Sequence, residues 1–157
     1  MLGQLKFRQA VCSESELLTD ICQRAKQSHG YDEEMMKIFL GDGDMVISAE
    51  AIERDTFMLA LLADHVVGFA HLMPVEIPET IYLEDLFIEP DAQGLGVGRA
   101  LFNWALGEAG FRGFSWLEWD SDPNAVAFYL KMGGEQISEE ESTLIPGRMI
   151  PKFRRAT

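Results

Sequence analysis

"EPDAQGLGVGRALFNWAL", residues 89–106, sets three alternate glycines, Gly94, Gly96 and Gly98, ahead of Arg99 and then turns into an apolar-periodic run. The stretch before it, 80–88, reads as a strand, so the glycines fall where a strand hands over to a helix. The first amides of a helix have no partner inside it, and the aligned peptide dipoles leave partial positive charge there, so such an end attracts anions. Glycines keep side chains out of the way and let the backbone turn sharply enough for a phosphate to approach the N–H groups. Arg99 adds a guanidinium of matching geometry. A plain strand-to-helix turn is the competing reading, and three alternate glycines followed by arginine favour the diphosphate over it. The spacing is not GxGxxG, no acidic residue is placed to clamp a ribose, and GxxxxGK[ST] is absent, so dinucleotide and P-loop readings both fail.

Working outward, 5–9 reads as a short strand. Ser13 with Glu16 forms a capping-box pattern opening a helix to about Ser28, which Gly30 ends. Two further helices are expected over 32–40 and 49–54. Between them Asp42 and Asp44 begin like a calcium loop with Glu53 at its end, but Ile47 stands where glycine must turn and Val46 where a ligand belongs, so the match is chance and no metal is predicted. The runs 56–63 and 66–75, joined at Asp64-His65 and closed by Pro74 and Pro78, read as a hairpin. After the glycine helix, which extends to about Gly110, "GFSWLEW" (113–119) is a strand and 123–132 a helix with proline in its first turn. The tail, 134–153, is two strands around "IPGR", with Pro151 expected at a bulge or an exposed position. The pattern predicts an α+β fold: a mostly antiparallel, twisted sheet of six to seven strands with one central parallel βαβ step, flanked by about four helices.

The chain has 157 residues, which suits a single domain, and 47% are hydrophobic. Thirteen Lys and Arg against 26 Asp and Glu give a net charge of −13, a field that repels nucleic acid and anionic membranes and favours cationic partners. Cys12 and Cys22 show no CxxC pairing and read as core or helix residues, and no leader or long apolar run is evident. A cytoplasmic setting is expected.

The ordered blocks "LEDLFIEP", "QGLGVG" and "DPNAVAFYLKMGG" resemble the GNAT superfamily of acetyl-CoA-dependent N-acetyltransferases, most strongly over 81–134. The resemblance implies that family's fold, with a splayed parallel pair of central strands, and acetyl-CoA as cosubstrate. It implies that the motif beginning at Gln93 holds the diphosphate, with the amides of Gly94, Leu95, Gly96, Val97, Gly98 and Arg99 gripping it. It also implies that the backbone of Leu86, Phe87 and Ile88 pairs with the pantetheine arm like an added strand, a bulge there freeing an N–H for the thioester carbonyl. Those three side chains read equally well as core. Tyr129 matches the family's general acid for the departing thiolate, a role its ordinary pKa of ~10 suits. Asn124, Phe128 and Lys131 match residues on the cofactor side of the same helix. The pattern departs in one place: the family's usual asparagine position, 122, is aspartate here, and Asn124 stands closer to the tyrosine.

A protonated amine cannot attack a thioester, and family members commonly deprotonate it with a carboxylate on the fourth or fifth strand. Glu84, Asp85 and Glu118 are the candidates, with Glu84 favoured and Glu118 next, because Glu118 beside Trp116 and Trp119 would gain proton affinity from partial burial. Strand parity sends Glu84 and Asp85 to opposite faces, and a bulge would reverse that assignment. "AKQSHGYDEEMM" (25–36) offers His29, Tyr31, Asp32 and Glu33 for an amine pocket. His29 and His71 read as hydrogen-bonded structural residues, and His65 as a turn residue. The acceptor is an amine on a small molecule, peptide or protein, and the C-terminal strands could pair with a second copy. A CoA-binding regulatory or interaction module without turnover is the alternative.

Overall fold

The structure is a computed structural model and describes residues 4–43 and 45–157. Asp44 of the calcium-like stretch lies outside the described residues, and Asp42 closes a helix. Seven strands form one sheet in the order β1-β2-β3-β4-β5-β7-β6: β1 Lys6–Gln9, β2 Thr56–Leu62, β3 His65–Pro74, β4 Thr80–Ile88, β5 Trp116–Asp120, β6 Glu135–Glu141 and β7 Met149–Ala156. Among them β4 and β5 are the parallel pair, with α4 (Val97–Phe111) as the crossover between them. That is the fold class the pattern predicts. By internal packing the chain divides into two compact units, Met1–His71 with Asp85–Leu101, and Leu72–Glu84 with Phe102–Thr157.

In the first unit, α1 (Ser15–Ser28) buries Leu18, Ile21, Cys22 and Ala25, one stripe at helical spacing. Its start differs from the sequence expectation. Ser13 is not the cap; it lies in a 3-10 turn, Cys12–Glu14, where the Val11 amide donates to Glu14 Oε1 at 2.9 Å and the Arg8 guanidinium grips both Glu14 oxygens at 2.9 and 2.7 Å. A carboxylate that satisfies one amide and one guanidinium outcompetes a serine hydroxyl that could reach only one. Cys12 is exposed in that turn, and Cys22 is buried. Helix α2 (Glu33–Asp42) is capped by Asp32, whose Oδ1 accepts from the Met35 amide at 2.9 Å, and α3 (Ala49–Arg54) by Ser48, whose Oγ accepts from the Ala51 amide at 3.1 Å. The β2–β3 turn sits one residue earlier than expected: Ala63 and Asp64 both have positive φ, 49° and 65°, as a two-residue hairpin of this hand requires, and His65 is the first residue of β3.

In the second unit, Phe102, Trp119, Tyr129 and Phe153 form an aromatic core around β5 and α5 (Val126–Lys131). A Cβ on Gly134 would lie 2.8 Å from the Trp119 ring and 2.9 Å from the Tyr129 carbonyl, so only glycine fits. The helix expected over 123–132 begins as a 3-10 turn, Pro123–Ala125, capped by Asp122. Pro151 is neither bulged nor exposed. It is buried within β7 opposite Glu139, one step past the last β5 pair, Asp120↔Lys152, and its carbonyl accepts from the Ser121 amide at 2.8 Å. A residue without an N–H is tolerated there because no ladder partner on the β5 side asks for one. The register shift instead falls on β6 between Gln136 and Ser138, opposite Phe153 and Lys152.

Candidate functional site

The strand-to-helix turn comes first. After β4 the chain makes a 3-10 turn, Pro90–Ala92, then a run of turn residues, 93–96, and enters α4 at Val97, which is buried. Gly94 and Gly96 take φ of 79° and 86°, values that carry a steric cost for any residue with a Cβ. A Cβ on Gly94 would meet nothing within 4 Å, so its backbone angle, and not crowding, selects glycine there. Gly98 lies inside the helix. Leu95 and Arg99 are exposed, Gly96 and Gly98 half-buried and Val97 buried. The turn is braced from behind. Arg24 of α1 bonds the Glu89 carboxylate, and Gln93 Nε2 donates to the Ile88 carbonyl at 3.3 Å and to Ser28 Oγ at 3.4 Å. Leu86, Phe87 and Ile88 are half-buried, and β3 presses close to them: a Cβ on Gly68 would lie 2.8 Å from the Phe87 carbonyl.

A second cluster in the same unit centres on His71. Its ring is buried, stacks on Phe57 at 3.9 Å, and meets a carboxylate at each nitrogen: Nδ1 to Asp85 Oδ2 at 2.7 Å, and Nε2 to Asp55 Oδ2 at 2.8 Å. Arg54 donates to both oxygens of Asp55, at 3.0 and 3.1 Å. Two acceptors facing two ring nitrogens are both satisfied only by the doubly protonated imidazolium. Burial by itself would lower the His71 pKa, but the hydrogen bonds and charges of Asp85 and then Asp55 outweigh it and hold the pKa above its ordinary value. Burial pushes the Asp55 carboxyl up, and its bonds to Arg54 and His71 more than reverse that, so it stands below the ordinary range.

These two shifts fix the sign of a pH dependence. The raised imidazole contributes stability in full below its unfolded pKa of ~6.5 and loses it as pH rises through the folded value. The lowered carboxyl contributes above its unfolded pKa of ~3.9 and loses it as pH falls. Urea unfolding should therefore be most resistant between about pH 4 and pH 6.5, and His71→Gln should flatten the decline on the alkaline side.

In the second unit, Tyr129 is buried on α5, with ring centroids 5.1 Å from Trp119 and 5.1 Å from Phe128. Asn124 and Lys131 are exposed and Phe128 is half-buried. Asp122, at the position where the resemblance expects asparagine, is used locally: its Oδ1 accepts from the Asn124 amide at 2.8 Å and its Oδ2 faces Arg148 at 3.4 Å. Glu118 is buried, directly opposite Tyr82 on β4 and Arg154 on β7. Trp119 is not its neighbour on that face. The pleat turns Trp119 into the aromatic core, and the Trp116 ring is covered by the Arg154 guanidinium at 4.1 Å. Glu84 is exposed. Sequence reasoning passed over Tyr82, whose buried hydroxyl makes no hydrogen bond of ordinary geometry among the described residues. Burial and the nearby charges of Asp120, Glu84 and Glu118 push its pKa far up. Asp55 was passed over too, because only the packing of β2, β3 and β4 brings it to His71.

The segment 25–36, from the end of α1 through a turn into α2, resolves into local roles. Asp32 is a cap, and Tyr31 stacks edge-on with Phe39 at 5.3 Å under the Lys26 ammonium. Among the described residues no helix is long and apolar enough to cross a membrane.

The sheet order, with a glycine turn leading from the parallel strand β4 into the crossover helix, agrees with the resemblance carried by the sequence blocks. The chain belongs to the acetyltransferase (GNAT) family, whose profile matches residues 15–134. It superimposes on a GCN5-related N-acetyltransferase from Rhodopseudomonas palustris with a TM-score of 0.84, at 20% identity over 99% of this chain and 97% of that one. It also resembles the PaiA N-acetyltransferase of Thermoplasma acidophilum, solved in complex with coenzyme A (TM-score 0.77, 18% identity, 98% and 99% covered). A third neighbour is the ribosomal-protein-S18-alanine N-acetyltransferase of Escherichia coli (TM-score 0.69, 19% identity, 97% and 93% covered). No curated protein matches the sequence.

Proposed function

We propose that residues 1–157 act as one N-acetyltransferase domain that moves an acetyl group from acetyl-CoA to a primary amine by direct attack within a ternary complex. No covalent acetyl-enzyme and no metal take part. The observation that carries this reading is the turn at 93–96: left-handed glycines, an outward-facing Gly94 and a helix start pinned by buried Val97, directly after β4. Such a turn fits a diphosphate, since the first amides of a helix have no partner within it and the exposed Arg99 adds a guanidinium beside them. In this reading the backbone of Leu86, Phe87 and Ile88 orients the pantetheine arm, with Asn124, Phe128 and Lys131 on the cofactor side. Tyr129 gives a proton to the departing thiolate. The β4 and β5 carboxylates, Glu84 and Glu118 among them, are the candidates to take the proton of the amine. The three neighbours named above are N-acetyltransferases, which supports nitrogen as the atom acetylated. A net charge of −13 supports an acceptor that is cationic.

Incubation with acetyl-CoA and a broad panel of amines should release free CoA thiol; no release with any amine counts against turnover. The turn is tested separately by calorimetry with CoA. Gly96→Val places a β-branched residue at φ 86°, and CoA affinity should fall by about 10- to 100-fold, as expected for losing one or two charge-assisted bonds. Unchanged affinity would remove the turn from the binding site.

A further inference from the structure

His71 is the one buried histidine described whose two ring nitrogens are both committed to carboxylates, and neither the turn nor the aromatic core makes use of it. The three groups are graded in exposure. The Asp55 side chain is 1% exposed and His71 5%, whereas Asp85 is 18% exposed, so Asp85 is the end of the chain that solvent or a substrate can reach. Asp85 is also the residue immediately before Leu86, on the strand whose backbone is assigned above to the pantetheine arm. Asp55 is held as an anion by Arg54, which balances its charge, so the exchangeable proton belongs to the His71–Asp85 pair.

We propose that Asp85 receives the proton of the attacking amine and that His71, backed by Asp55, stores it; this rests on the acetyl-transfer reading above. The step balances as follows. With His71 neutral, Nε2–H donates to Asp55 and the bare Nδ1 faces Asp85. An N–H bond of the substrate ammonium breaks, its proton goes to Asp85 and on to Nδ1, and the nitrogen keeps the electron pair with which it attacks the acetyl carbonyl. The second proton lost by that nitrogen replaces the one Tyr129 gives to the thiolate. After product leaves, His71 returns its proton through Asp85 to water. A lone carboxylate, with an ordinary pKa of ~4, is a poor match for an amine at neutral pH. An imidazole between two carboxylates, its pKa held above the ordinary value by Asp85 and then Asp55, is the better match, and Asp85 links it to the side that solvent reaches. Asp85 is thus the catalytic residue of the set, and His71 and Asp55 are positioning residues. The groups facing His71 are Asp55 and, through it, Arg54 from the α3–β2 junction, Asp85 from β4, and the uncharged Phe57 ring from β2.

The test is the pH profile of kcat for wild type, Asp85→Asn and Asp55→Asn with one amine from the panel. Wild type should show an acidic limb with its midpoint above pH ~6.5. Asp55→Asn, which keeps an acceptor for Nε2–H but removes one negative charge, should move that limb to lower pH. Asp85→Asn should reduce kcat by about 100-fold while calorimetric CoA binding stays as in wild type. If Asp85→Asn does not melt cooperatively, the Asp55→Asn limb decides by itself. Turnover in wild type with a limb unmoved by Asp55→Asn, or with a folded Asp85→Asn as active as wild type, overturns the proposal and leaves the acetyltransferase reading standing. Absence of turnover with every amine overturns that reading, and the proposal with it.

Discussion

Replacing Tyr129 with phenylalanine should lower kcat by about 100- to 10,000-fold, the range that removing a positioned proton donor covers, while leaving CoA affinity and thermal unfolding close to wild type. The split between the two measurements follows from where the residue sits. Its ring is a packing member of the second unit's core, against Phe102, Trp119, Phe128 and Phe153, and phenylalanine supplies the same ring. Only the phenol is lost, and with it the group assigned to the leaving thiolate. A rate within a few-fold of wild type would remove Tyr129 from the chemistry and leave it as a core residue. A large loss of stability together with rate would show that the hydroxyl serves the fold.

Trp119→Ala should have the opposite signature. Trp119 is fully buried, its ring 5.1 Å from Phe102, 5.1 Å from Tyr129 and stacked 5.9 Å from Phe153 at an interplanar angle of 6°. Truncation leaves a cavity that three rigid rings cannot close, and the cost should be about 3–5 kcal/mol of unfolding free energy, offset in small part because the buried indole N–H has no hydrogen-bond partner to lose among the described residues. Urea unfolding measures it. A cost under about 1 kcal/mol would mean that the core collapses around the gap, contrary to the close packing of Gly134 against the same indole.

The reach of sequence reasoning differs between elements for identifiable reasons. Strand β4 and helix α3 are found with their observed ends, 80–88 and 49–54, because each is bounded by strong local signals, the proline-rich turn at 74–78 before β4 and Ser48 before α3. The start of α1 is misplaced because the deciding contact, Arg8 to Glu14, links a strand residue to a turn and carries no motif. The hairpin turn slips by one residue because Ala63, which favours other conformations, is forced to positive φ by the pairing of the strands on either side. Pro151 is misjudged because the tolerance for proline depends on where β5 stops, a fact about a different segment.

The same division holds for chemistry. Local order by itself determined the fold class, the family and the glycine turn before α4, because strand-forming runs, alternate glycines and the tyrosine block are each written within a few consecutive residues, where backbone preference alone can express them. Only the tertiary structure decided which acidic side chain has a proton partner. Asp55, His71 and Asp85 belong to three different segments, and the shifted proton affinities of His71 and Asp55 come from distance and burial, which pairing of the strands creates and no run of neighbouring residues encodes.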